Sequence, residues 1–380
     1  MVYVAGVICG FCRKLQTAHA AAGRVSGPGR RGYGPAMAMK ALSGSKAATI
    51  YQVAQRAGVS IATVSRALRG SDLVTEQTRT RVQEAARELR FTPNRSGRSL
   101  AEGRHAANGI VFPDLVGPYY AEVILGYEET AAGYGSSVLI LATHGRADSA
   151  AKVEELAGRV DGLAVMGRTV DDEVVERIAA IGLPLVLLAR DPVEGVDTIR
   201  TRNERTAEAL AGHLLAHGHR SFVFLGDPAG SPDVAGRHAG LVAALAAGGV
   251  DAPVVVPCGL DLESGRKAAR RLLKQPPDAI VGANDEVALG VHLAAEQAGV
   301  DIPGDVAVTG WDDLMAARFA GLTTVVQPMR QLGAAAARWL HERIAEREQD
   351  IQPVAARRRI LPTRLVVRRS CGEHTPEESR

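Results

Sequence analysis

The sequence predicts a three-helix head built around a helix-turn-helix, followed by two α/β lobes, each a doubly wound parallel sheet. Three observations lead there. Beyond Asn108, short runs rich in Val, Ile and Leu alternate with Ala-rich amphipathic stretches, and the runs fall into two series. Continuous apolar strands between helices are parallel strands buried on both faces. Between Thr49 and Leu89, two short helical stretches meet across Gly58 and a third follows, the plan of a helix-turn-helix with its supporting helix. Charge divides the same way. Residues 1–45 carry six Lys and Arg with no acid, and residues 46–104 carry eleven against five acids, so each segment stands at +6; the whole chain is at +3, which leaves the remainder at −9. A basic front on an acidic body implies a polyanion partner for the front alone. At 380 residues the chain can fill two or three cores.

Residues 1–45 are dominated by Ala, Gly, Arg and Ser and broken by Gly27-Pro28-Gly29 and Gly32-Tyr33-Gly34-Pro35. They are expected to be a disordered extension. Met37 and Met39 offer a later translation start, and a basic arm lying on DNA is the alternative. The head, residues 46–93, starts with Thr49 as N-cap of a helix from Ile50 to about Ala57. Gly58 ends that helix by supplying a left-handed residue for the tight turn. Ser60 caps a second helix, Ile61 to about Leu68, with Val64 and Leu68 inward. A third begins near Thr75 and presents Val82, Ala85, Ala86 and Leu89 to the same core. The outward positions of the second helix are Ile61, Ala62, Ser65 and Arg66. A helix of this kind fits the major groove, where Arg66 can donate twice to a guanine and Ile61 and Ala62 can touch a thymine methyl. Tyr51, Thr63 and Ser65 carry hydroxyls suited to phosphates. A generic helical pair with a surface arginine is the plainer reading of the same residues.

The run Ala48-Thr-Ile-Tyr-Gln-Val-Ala-Gln-Arg-Ala-Gly-Val-Ser-Ile-Ala-Thr-Val-Ser-Arg-Ala-Leu68, with Thr78-Arg79 and Phe91-Thr-Pro-Asn-Arg95, closely resembles the head of the LacI/GalR repressor family. The resemblance implies that Ile61, Ala62 and Arg66 read bases, and that Tyr51, Ser60, Thr63, Ser65 and Asn94 position the head on phosphates. It also gives residues 94–104 a role as a hinge helix that forms on operator DNA, with Leu100 as an apolar wedge in the minor groove. Too short and polar for a stable isolated helix, this segment also reads as a solvated linker in the free protein.

In the body, residues 105–368, strands are expected at Gly109–Pro113, Ser137–Leu141, Gly162–Met166, Leu185–Leu188, Ser221–Leu225, Val254–Val256, Ala279–Gly282 and Val306–Thr309, with helices such as Thr206–Ala216 and Glu286–Ala298 between them. A ligand is expected at the C-terminal strand ends between the two lobes. Val160-Asp-Gly-Leu163, His217-Gly-His-Arg220, Gly236-Arg237-x-x-Gly240, Ala283-Asn-Asp285, Gly310-Trp-Asp312 and Thr323-Thr-Val-Val-Gln-Pro328 resemble the effector domain that LacI-type repressors share with periplasmic sugar-binding proteins. The likeness to the family spans roughly residues 48–368. It implies crossings between lobes near Thr201, Gln327 and Gln352, and an effector pocket of Tyr119, Tyr120, Arg190, Arg237, Asn284, Asp285 and Asp312 with Trp311 nearby. Aromatic faces, planar donors and carboxylates are what a sugar requires. Two departures stand out: Ala189 replaces a common carboxylate, and Arg202-Asn203 replaces an Asp-Asn pair. Both are expected to make that edge of the cleft more positive and to bring an anionic effector into consideration, with a neutral sugar still the first expectation.

Other chemistry finds little support. The four cysteines, Cys9, Cys12, Cys258 and Cys371, lack the second ligand pair of a zinc site and read as free cytoplasmic thiols. His213, His217 and His219 gather at one helix end, where binding to terminal carbonyls is expected in place of a metal. No catalytic triad, paired-carboxylate site or phosphate loop appears, so no enzyme activity and no cofactor are expected, and no apolar run is long enough for a membrane. The C-terminal stretch from Arg357 to Arg380, which ends in a tail at 369–380, is basic and then acidic and has no leucine heptad for a tetramer. The resemblance therefore implies a cytoplasmic homodimeric repressor of sugar uptake or catabolism genes, binding a pseudo-palindromic operator under control of a small effector. The alternatives are control by a protein partner or by an anionic non-sugar metabolite.

Overall fold

The computed structural model describes residues 48–92, 104–351 and 355–372 and divides into two compact units, 1–92 and 93–380. The extension 1–45, the hinge residues 94–103 with Asn94 and Leu100, and the end of the tail lie outside the described residues. In the first unit the helices are α1 (Ile50–Ala57), α2 (Ile61–Leu68) and α3 (Glu76–Glu88). Each starts on a hydroxyl cap: Thr49, Ser60 and Thr75 accept from the backbone N–H of Gln52, Thr63 and Thr78. Gln52 returns the bond to the Thr49 N–H, closing a capping box. Gly58 sits at φ 65°, the left-handed end of α1. Val53, Val64 and Val82, one from each helix, are wholly buried in a shared core. Arg79 holds the turn ahead of α3 by donating to the carbonyls of Gly70, Ser71 and Val74.

The second unit is two-lobed. In its first lobe run β1 (Ala107–Phe112), α4 (Pro118–Gly133), β2 (Ser137–Ala142), α5 (Ser149–Ala157), β3 (Gly162–Met166), α6 (Asp172–Ala180), β4 (Leu185–Leu188) and β5 (Asp197–Thr201). The chain then enters the second lobe as α7 (Glu204–Ala216), β6 (Phe222–Leu225), α8 (Pro232–Ala247), β7 (Val254–Val256), α9 (Leu262–Leu272), β8 (Ala279–Gly282), α10 (Asp285–Ala298), β9 (Ala307–Thr309), α11 (Met315–Ala320) and β10 (Thr324–Val326). It returns as α12 (Met329–Glu348) and β11 (Arg358–Leu361), and finishes on the second lobe with β12 (Arg364–Val366) and a 3₁₀ turn, Arg369–Cys371. Among the described residues the first sheet has the order β11-β5-β4-β3-β1-β2 and the second β7-β6-β8-β9, with parallel pairing throughout.

The third crossing falls at Pro362–Thr363, between β11 and β12, and not around Gln352. The cause is register: Arg358 to Leu361 pair with Thr198 to Thr201, so the chain first completes the edge of the first sheet. β12 then pairs antiparallel with β10 in a separate ribbon. Asp197, which is 3% exposed, secures this edge by accepting from Arg343 and Arg357 at 2.8–2.9 Å.

Inside the first lobe, α4 and α12 pack at backbone distance. A Cβ on Gly126 would lie 2.0 Å from the Arg330 carbonyl oxygen, and one on Gly333 would lie 2.0 Å from that of Val123. Gly126→Ala is accordingly expected to destabilise this unit by about 1–3 kcal/mol through overpacking. Gly133→Ala in the same helix, where a Cβ meets nothing within 4 Å, is expected to be neutral or slightly stabilising. Urea denaturation of both variants checks the contrast.

Candidate DNA interface and ligand cavity

In the head, Ala62 and Arg66 are exposed and Ile61 is 39% exposed, all on α2. The Arg66 guanidinium has no ion-pair or hydrogen-bond partner among the described residues. Tyr51 is exposed on α1. Ser60 and Thr63 hydroxyls lie 2.9 Å apart, and Ser60 also accepts from the Thr63 N–H at 3.1 Å, so both hydroxyls are oriented by the cap. Ser65 is half-buried.

In the body, a cavity of about 230 Å³ lies between residues of the two lobes, below the roughly 300–1,000 Å³ of drug-sized sites and suited to a small molecule. It brings together five of the seven expected residues: Tyr119, Tyr120, Arg237, Asn284 and Asp312. Tyr119 and Tyr120 start α4 and meet edge to face at 5.4 Å. Arg237, on α8, is 6% exposed; its guanidinium donates to Asn203 Oδ1 at 3.1 Å and to the Ala283 carbonyl at 2.6 Å, and lies 4.8 Å over the ring of buried Trp311. Asn284 caps α10 by accepting from the Val287 N–H and donates to the Leu260 carbonyl. Asp312 accepts from Gln327 at 2.6 Å, in the second crossover, where Thr201 of the first crossover donates to the same Gln327 at 2.9 Å.

The electrostatics follow from burial. Desolvation pushes the Asp312 carboxyl up to about 7 against the pull of Arg237. Burial also raises Asp233, which accepts from Asn203 at 2.8 Å and has Arg237 at 3.9 Å. Tyr119 is raised by burial as well, and Tyr120 reaches about 12 for the same reason.

Arg190 and Asp285 are not among the cavity residues. Arg190 is buried in another recess, donating to the Val170 carbonyl and to Asp172. Asp285 is fully buried and holds three segments together, accepting from the Leu314 N–H at 2.8 Å and from Thr324 at 2.5 Å. Arg202 is exposed and away from the cavity, whose wall instead carries Asp233, Glu286 and Asp312. Ala189 does line the cavity, as do the cations Arg168 and Arg237, so of the two departures expected to make this edge more positive only Arg202 falls outside it. Asp233 and Glu286 escape a reading of the sequence. Asp233 precedes Arg237 by one helical turn, which is also the spacing of an ordinary surface ion pair, and Glu286 resembles any first-turn acid. The three histidines close on the chain's last described turn: His213 Nε2 lies 3.4 Å from Cys371 Sγ and His219 Nε2 lies 3.1 Å from the Cys371 carbonyl. No metal-holding group of His, Cys, Asp and Glu occurs among the described residues, and none of their helices is long and apolar enough to cross a membrane.

A helix-turn-helix with an exposed reading helix, carried by the same chain as a two-lobed ligand-cavity fold, defines a DNA-binding transcriptional regulator. Residues 49–94 match the bacterial regulatory proteins of the lacI family, and residues 211–371 match the periplasmic binding protein-like domain. The transcriptional regulator DegA of Bacillus subtilis (strain 168) is 31% identical over 333 residues, covering 85% of this chain and 97% of that protein. The lac repressor dimer bound to operator and an anti-inducer superposes with a TM-score of 0.75 at 27% identity, covering 86% of this chain and all of that one. The regulator CelR in complex with cellobiose gives 0.64 at 28% identity, covering 85% of this chain and 99% of that one. The chain belongs to the lacI family of bacterial regulatory proteins; it is a regulator and not an enzyme.

Asp312 supplies a test of the cavity's energetics. A carboxyl whose pKa rises on folding favours the folded state when neutral, so its contribution is lost as pH climbs from the ordinary 3.8 to about 7. Asp312→Asn is expected to be more stable than the native chain at pH 8 by about 1–3 kcal/mol, with the difference gone by pH 4. Thermal melts across that range decide it, and equal melting at pH 8 contradicts it.

Proposed function

We propose that this regulator is a homodimeric repressor of sugar uptake or catabolism genes, released from or locked onto its operator by a small polyol in the cavity between the lobes. The observation that carries this reading is the convergence of Arg237, Asp312, Tyr119, Tyr120 and Asn284 on one cavity of about 230 Å³. Vicinal hydroxyls both donate and accept, so a guanidinium and a carboxylate can each take a pair, while the tyrosines offer ring faces. The cellobiose in CelR supports a sugar-class ligand.

On DNA, Arg66 takes a guanine through two donors, Ile61 and Ala62 make apolar contact with a neighbouring base, and Tyr51, Ser60, Thr63 and Ser65 hold phosphates. Asn94 and Leu100 extend the contact, Leu100 as the wedge in the minor groove. Two copies are needed for a pseudo-palindrome. The dimeric state of the lac repressor supports this, as do Phe319 and Met315, which are 82% and 74% exposed on α11. Gln327 lies in the crossover and binds the cavity's Asp312, so a ligand that alters this carboxylate acts where the lobes hinge. Coupling between effector and operator is then reciprocal.

Arg66→Ala is expected to weaken operator binding by about 1–3 kcal/mol and relax preference at one base position, measured by titrating the selected operator and its single-base variants; unchanged binding to all of them overturns the assignment. For the cavity, a thermal-shift screen of monosaccharides and disaccharides is expected to yield a ligand that changes operator affinity and is lost in Arg237→Ala. A ligand indifferent to Arg237→Ala overturns the cavity as the effector site.

A further inference from the structure

The cavity wall is unequal in its hydrogen-bonding capacity. Arg237 already donates to Asn203 and Ala283, with Asp233 beside it, and Arg168 at the rim pairs with Asp191 at 3.3 Å and donates to the Ala229 carbonyl. Each of these cations already has an acidic neighbour and two protein acceptors, while keeping donors free for hydroxyls of a ligand. Asp233 and Asp312 each have a protein donor, Asn203 and Gln327 respectively. Glu286, in the first turn of α10, has none: among the described residues no hydrogen bond or ion pair reaches its carboxylate.

Its position is held open by backbone shape. Gly117, the residue before α4, stands at φ 92°, and a Cβ there would lie 2.4 Å from Glu286 Oε2. Any side chain at 117 would displace this carboxylate, so the glycine makes room for it on the cavity wall. Glu286 thus places one unpaired negative charge on a half-buried part of the wall, where it is costly until a partner arrives.

We propose that the effector is a polyol carrying a protonated amine, with the ammonium seated against Glu286. An ammonium has three donors and no acceptor, the complement of this carboxylate. A phosphate or carboxylate placed there meets like charge and is refused. This rests on the cavity being the effector site.

The test uses the full chain and matched probes: the 2-amino, neutral and 6-phosphate forms of glucose, galactose and mannose, titrated by calorimetry. For at least one sugar the amino form is expected to bind about tenfold tighter than its neutral parent, and the phosphate form not at all. Glu286→Gln, which keeps shape and removes charge, should bring the ratio of amino to neutral affinity close to one, whereas Glu286→Asp should keep part of it. Thermal melts of both variants establish that they fold. Equal or tighter binding of a neutral or phosphorylated form overturns the proposal, as does an amino preference that survives Glu286→Gln, or no binding by any probe. If a neutral or phosphorylated sugar binds and is lost in Arg237→Ala, the cavity reading stands and only the amine fails; if binding ignores Arg237→Ala, the cavity reading itself fails.

Discussion

A guanidinium cannot shed its charge, so a buried arginine obliges its surroundings to answer every donor it brings. Arg237 imposes that condition on the body. Asn203 answers from the first crossover, Ala283 from the end of β8, Asp233 from one turn back along α8, and the ring of Trp311 from below. Three other stretches of chain are thus located against α8 by one side chain. The cavity is what remains above it, and the crossover residues Thr201 and Gln327 are drawn into the same network through Asp312.

Such an arrangement is held at some cost. Asp312 is buried with its carboxyl raised to about 7 and its backbone at φ 121°, a conformation that residues other than glycine rarely adopt. Its neighbour Asp313 also has positive φ, at 57°, and is gripped by Arg318 and Arg368. A chain selected for stability alone would replace this turn with something relaxed and apolar. Two adjacent aspartates at positive φ, one facing the cavity and one held by Arg318 and Arg368, are a departure from local consistency of the kind that functional sites show.

Much of this was legible from residue order because much of it is local. The hydroxyl caps of the head, the left-handed Gly58 and the inward face of α3 depend on neighbours within four positions, and strands buried on both faces announce themselves as unbroken apolar runs. What stayed hidden is long-range. β10, β11 and β12 lie at an edge or in a ribbon, β5 lies just inside the edge strand, and all four carry Arg, Asp or Thr, so their apolar signal is weak. Arg190 and Asp285 occupy expected positions, yet their partners at Asp172 and at Leu314 and Thr324 turn them away from the cavity. Arg202 follows the first crossover, and residue order there does not say which way its side chain faces: it is exposed and not among the cavity residues.

The late crossing at Pro362–Thr363 has a consequence for biogenesis. Neither lobe is a continuous stretch of chain: the first waits for β11 to pair with β5 across more than a hundred intervening residues, and the second waits for β12 to cover β10. Pairings of such wide sequence separation close slowly, and a chain emerging from the ribosome must carry an exposed β5 edge until its last segment is made. The polar residues of β5, Asp197, Thr198, Arg200 and Thr201, then have a second use. They keep an unfinished sheet edge soluble, and unattractive to other strands, for as long as synthesis takes.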